Sequence, residues 1–221
     1  MVGLSQLRME ENKVVIITLL QSTARDGIDR LISYLEKHDY FTAPASTKYH
    51  LSVPGGLAQH SLNVYFNLMR LYYGEDWRSL EEYTERADGV EHSNIVIAAL
   101  LHDLCKVDFY KSVLRNVKED GAWKEVSQYV VDEQMKILGH GSKSVIVAQQ
   151  FIRLYFAEIQ AISFHMGMSD PDASFAATIS EVYDEVKLAR YLHMADFWAT
   201  YEHDVACLEE GSAQDSDDVP F

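Results

Sequence analysis

Cysteine is scarce in this chain: among 221 residues only Cys105 and Cys207 occur, and their spacing fits neither a zinc–thiolate motif nor a disulfide framework. A reducing cytoplasm is the setting such a composition leads one to expect. Positive charge is scarce as well. With 19 lysines and arginines against 34 aspartates and glutamates, the formal net charge is −15, so long-range attraction to a polyanion is missing and any phosphate binding must be local. That favours a small phosphorylated partner, a nucleotide for example, over a long nucleic acid. Long hydrophobic runs are absent too. Val14 to Leu20 is too short to span a bilayer, and no basic stretch leads into an apolar core at the N-terminus. A soluble, unprocessed protein with no membrane partner is expected.

What is present is a hydrophobic content of 48%, enough to build one sizeable core. One domain is expected over residues 1–208, followed by an acidic tail, 209–221, that lacks periodicity and reads as disordered. Val14 to Leu20 fits either a short strand or the first helix, since periodicity cannot decide over so few residues. From Asp26 to Lys37, Ile28, Leu31, Ile32 and Leu35 recur at helical spacing. After the break at Pro54-Gly55-Gly56, a helix should start at Leu57, with His60 on the same stripe as Leu57, Val64 and Leu68. Ser93-Asn94 offers an N-cap for a helix that carries Ile95, Ala98, Ala99 and His102 on one face.

Two β-rich runs around Asp120-Gly121 predict a hairpin over roughly residues 110–132. Gly139-His140-Gly141 marks a loop, and Val145, Ala148 and Ile152 continue as a helix. Another helix from Phe156 places Ala161 and Ile162 just before His165. A long helix from Thr178 to about Val205 puts Val182, Val186, Ala189, His193 and Asp196 on one stripe. The fold class is therefore all-α with a small β-hairpin insertion.

An ionised aspartate on an inward stripe is costly unless its charge is compensated. No lysine or arginine shares the stripe of Asp196, whereas His60, His102 and His165 occupy inward stripes of three other helices. A divalent metal would satisfy them together, and the lack of thiolates argues against a purely structural zinc site. Any one of these histidines is more often a packed core residue than a ligand. The set, taken together, points to a metal centre.

The stretches Gly-Gly-Leu-Ala-Gln-His60-Ser-Leu-Asn-Val and Ala-Ala-Leu-Leu-His102-Asp103-Leu-Cys-Lys106, followed later by Ala195-Asp196, resemble the HD-domain metal-dependent phosphohydrolases. Gly139-His140-Gly-Ser-Lys-Ser and Phe164-His165-Met-Gly look like the two extra histidines of the dinuclear branch. Tyr49-His50 with Pro-Gly-Gly-Leu-Ala-Gln-His60 is also similar to the HD region of bacterial 3′-5′ exoribonucleases of the YhaM type. The resemblance implies an all-helical bundle in which His60, His102, Asp103 and Asp196 hold a first divalent ion, and Asp103 bridges to a second held by His140 and His165. One or two ions per chain are implied, drawn from iron, manganese, nickel, cobalt or zinc, with magnesium a further candidate. The activity implied is hydrolysis of a phosphate ester or anhydride by metal-activated water.

Asp103 and Lys106 are the candidate catalytic residues, and Lys106 and Lys143 the candidate phosphate contacts, against a competing reading of both lysines as solvated. His193 is either substrate-facing, a support for a ligand, or simply packed, and His50 is an ambiguous candidate for substrate binding. Cys105 reads as a small buried side chain, while His38, His92 and His203 read as surface residues. The hairpin aromatics Tyr110, Trp123 and Tyr129 either cover a substrate or pack. Three other functions use the same residues: a di-iron oxygenase, a 3′-5′ exoribonuclease, and a nucleotide-binding regulatory module.

Overall fold

The chain is seen in a computed structural model that describes residues 4–75, 90–119, 122–131, 139–169 and 176–204. The acidic tail and the Asp120-Gly121 turn lie outside the described residues. Helix α1 spans Gln6–Ser22; the Val14–Leu20 run is thus helical, with Ile16 and Leu20 buried. The hydroxyl of Ser5 caps α1 by accepting the Arg8 N–H. Helix α2, Ile28–Lys37, buries the four apolar residues that its periodicity singles out.

Helix α3, Gly56–Tyr73, is buried around most of its circumference, and so is α4, Val90–Leu101, whose residues from Ile95 to Leu101 are fully enclosed. These two form the centre of the bundle. Against them pack α1, α6 (Phe156–Phe164) and α8 (Lys187–Trp198), while α5 (His140–Ala148) lies against α6. Strands β1 (Tyr110–Glu119) and β2 (Ala122–Val131) form the expected antiparallel hairpin, in register from Tyr110↔Val131 to Glu119↔Ala122. The architecture is mostly helical with one two-stranded sheet. No helix among the described residues is long and apolar enough to cross a membrane.

Three expectations about elements are corrected. The long helix from Thr178 is two helices, α7 (Ala176–Glu185) and α8, separated at Val186, whose backbone is extended at φ −109° and ψ 95°. The Arg190 guanidinium stabilises the break by donating to the carbonyl of Tyr183 near the end of α7. Ser93 and Asn94 do not cap α4, which is already helical at Val90. Their side chains instead accept from the Arg25 guanidinium, at 2.9 and 3.0 Å, and Arg25 also pairs with the buried carboxylate of Glu158. His140 is not in a loop but is the first residue of α5, with Gly139 as its N-cap.

Two histidines read as surface residues also turn inward. His92 is buried and meets the Tyr65 hydroxyl at 3.2 Å, and His203 is half-buried with Asn67 Nδ2 at 3.3 Å.

Candidate metal centre

His60 is brought inward by α3, His102 and Asp103 by the end of α4, His165 by the end of α6, and Asp196 by α8. Their polar atoms converge. The Nε2 atoms of His60 and His102 lie 3.3 Å apart, and His60 Nε2 is 3.1 Å from Asp196 Oδ1. The two oxygens of Asp103 divide the cluster between them. Oδ2 lies 3.4 Å from His102 Nε2 and 3.8 Å from His60 Nε2, whereas Oδ1 lies 3.7 Å from His165 Nε2. Asp103 Oδ1 and His165 Nε2 are both buried without a hydrogen-bond partner among the described residues, a costly state for polar groups unless something else binds them.

A common orientation runs through the histidines. His102 Nδ1 donates to the carbonyl of Ala99 at 2.8 Å, His165 Nδ1 to that of Ile162 at 2.7 Å, and His60 Nδ1 contacts Asp204 Oδ2 at 2.8 Å. With Nδ1 tied outward, the tautomer and ring plane are fixed, and Nε2 is left facing the cluster. His140 differs in its partner, its Nδ1 standing 3.5 Å from Cys105 Sγ. Asp103, Cys105 and His140 also place one ligand-type atom each within 4.8 Å of one another. Cys105 is buried as expected, and burial pushes its thiol pKa up to about 12.

Electrostatics explains why such a cluster needs a cation. Among the described residues, three carboxylates, Asp103, Asp196 and Asp204, share a largely buried region with one ammonium, that of Lys106, 2.6 Å from Asp103 Oδ2. Burial alone would neutralise the acids. The Lys106 ammonium and His102 instead hold Asp103 well below the usual carboxylate range, and His60, His102 and His165 do the same for Asp196. Burial likewise disfavours the His60 imidazolium, but Asp204 and Asp196 outweigh it and hold its pKa up at about 10. Without a metal, protonated histidine therefore supplies the missing positive charge; divalent cations would supply it in place of those protons. The donor set, nitrogen and oxygen on rigid helix ends, suits such an ion.

Above the cluster lies a cavity of about 240 Å³ whose lining includes His50, Asp103, Lys106, His165, His193 and Asp196. His193 Nδ1 donates to the carbonyl of His165 at 2.6 Å, and its ring stacks on Tyr183. His50 packs its ring 4.9 Å from that of His60, and neither of its nitrogens has a hydrogen-bond partner among the described residues. Burial, with His60 and Lys106 nearby, lowers its pKa to about 4, so it is neutral. Lys143 is not among the residues lining the cavity; its ammonium sits 4.9 Å from the centre of the Phe109 ring. Nor do the hairpin aromatics line it, and Trp123 is 71% exposed near the far end of the hairpin.

Sequence reasoning missed Asp204, which is fully buried and accepts from both His60 Nδ1 and Asn63 Nδ2, the latter at 2.7 Å. It lies eight residues after Asp196; in a continuous α-helix, at about 100° per residue, it would point roughly 80° away. Residues Ala199–His203 are π-helical instead. A π-turn absorbs one extra residue, so the eight behave as seven and the two aspartates fall within roughly 20° of one face. Asn63 was findable, being three residues from His60 on the same helix.

Gly141 lets α5 approach α6. A Cβ there would lie 2.3 Å from the Ile162 carbonyl oxygen and 2.4 Å from that of Ser163. Because both obstacles are backbone, Gly141→Ala is expected to cost on the order of 1–3 kcal/mol. Calorimetric melting should show a fall of several degrees, and an unchanged melting temperature would refute the close approach.

A helical bundle that presents histidine, histidine–aspartate and aspartate from three helices into a buried cleft is the arrangement of the metal-dependent phosphohydrolase superfamily. The model of the HD domain family matches residues 57–205, more than half of the chain, and the chain belongs to that family. No curated protein and no solved structure matches it.

Proposed function

We propose that this protein hydrolyses a phosphate ester or anhydride bond of a small substrate, a nucleotide for example, with two divalent cations. His60, His102, Asp103 and Asp196 would hold the first ion, and Asp103, His140 and His165 the second. The observation that carries this reading is the division of the Asp103 oxygens between the His60–His102 side and His165, with Oδ1 and His165 Nε2 unpartnered. Bound cations would acidify water and offset charge on the phosphoryl oxygens.

The remaining work falls to the chain's own side chains. Lys106, anchored on Asp103 and lining the cavity, offers an ammonium to a phosphoryl oxygen. His193, tethered through Nδ1, lines the same cavity and would position the substrate there. His50, neutral and without a hydrogen-bond partner among the described residues, has ring nitrogens that would gain a bond when substrate enters.

The test is elemental analysis of the purified protein, followed by phosphate release from a panel of nucleotides and simple phosphate esters. Hydrolysis should fall to background after chelation and return with manganese, cobalt, nickel or iron. A protein that neither retains nor responds to any of these ions refutes the proposal. Oxygen consumption by the iron-loaded form would redirect it to the oxygenase chemistry of the superfamily.

A further inference from the structure

The cavity over the metal centre shares part of its lining with another. His193, Phe197 and Tyr201 also line a second cavity of about 500 Å³, completed by Leu71, Met194 and Trp198, with Glu202 at its edge. The rings of Phe197 and Tyr201 are 4.7 Å apart, and both side chains are more than half exposed, at 61% and 67%. Met194, at 48%, stands one turn earlier on the same helix. Large apolar groups gathered beside a polar cleft mark a place where something apolar is bound. The cavity of about 240 Å³ must already hold cations, water and a phosphoryl group, so the rest of a substrate has to leave it. The cavity that adjoins it is walled by rings.

We infer that the groove formed by Met194, Phe197, Trp198 and Tyr201 binds a flat aromatic group of the substrate, joined to the phosphate that lies over Asp103 and Lys106. This rests on the phosphohydrolase reading of the adjoining site. The group is uncharged or cationic. Glu202, fixed by the Trp198 indole N–H at 2.6 Å, stands at the edge, and the net charge of −15 disfavours an anion there. Ring stacking and apolar contact, which need no hydrogen-bond code, supply the affinity.

The test compares 1-naphthyl phosphate with glycerol 2-phosphate, which share a phosphate and differ in the ring. Dissociation constants come from calorimetry on the purified full-length protein, and kcat/KM from the metal-loaded form. The naphthyl ester should be preferred on the order of tenfold, as stacking on an aromatic side chain allows. Phe197→Ala and Tyr201→Ala should each weaken the naphthyl ester several-fold more than glycerol 2-phosphate, so that the preference falls toward unity. Equal affinity for the two esters, or a preference that survives both substitutions, overturns the inference. So does an equal loss for both esters, which would make the rings structural. If neither ester is turned over with any cation, the phosphohydrolase reading falls, and the ratio of dissociation constants still decides the groove.

Discussion

Replacing Asp103 by asparagine is expected to lower phosphate-ester hydrolysis on the order of a thousandfold and to strip metal from the protein. The side chain is isosteric, so the cleft keeps its shape and the loss reports charge. An amide offers one acceptor oxygen where Asp103 has two, directed at different histidines. It also leaves the Lys106 ammonium, only 11% exposed, without its counter-ion, and removing one partner of such a buried pair destabilises by about 3 kcal/mol. Metal separates the two effects. Added manganese should raise the melting temperature of the wild-type protein, because an ion that binds only the folded state stabilises it by mass action. The variant should melt lower and barely respond. Wild-type metal content in Asp103→Asn would rule out the bridging role.

Much of this site was legible before any coordinates, because helical phase is a strong signal where a polar residue interrupts an apolar stripe. His60 among Leu57, Val64 and Leu68 is such a case, and so is His102 after the apolar run Ile95–Leu101; both are fully buried. The readings failed where local chemistry gave way to tertiary contact. Ser93-Asn94 has the composition of a cap, yet Arg25, 68 and 69 residues away in sequence, claims both side chains. Gly139-His140-Gly141 has the composition of a loop. The glycines serve instead to start α5 and to let it touch the α6 backbone. A stripe that assumes 3.6 residues per turn cannot see past a π-turn, which is why Asp204 was invisible while Asp196 was not.

Asp204→Asn should weaken metal binding and lower kcat on the order of 10- to 100-fold, the range typical when the partner behind a metal-binding histidine is lost. The reason lies in how the carboxylate is used. One oxygen contacts His60 Nδ1 and the other accepts from Asn63 Nδ2. An amide has a single acceptor, so whichever way it turns, one donor faces an NH₂ group. Behind Asn63 the hydrogen bonds continue in one direction: Gln59 Nε2 donates to Asn63 Oδ1 at 2.9 Å, and Gln59 Oε1 accepts from Arg8 Nε and Asn12 Nδ2, each at 2.9 Å. The chain fixes the Asn63 amide with its nitrogen toward Asp204, so the mismatch in Asp204→Asn cannot be relieved by turning Asn63 without breaking the bond to Gln59. Asn63→Ser, which leaves the pairing of Asp204 with His60 intact, should have a much smaller effect on cobalt affinity. If both variants fold and bind cobalt as tightly as the wild type, Asp204 does not act through His60. A loss confined to Asp204→Asn, in affinity and kcat with KM little changed, assigns it the task of holding that imidazole with Nε2 toward the ion.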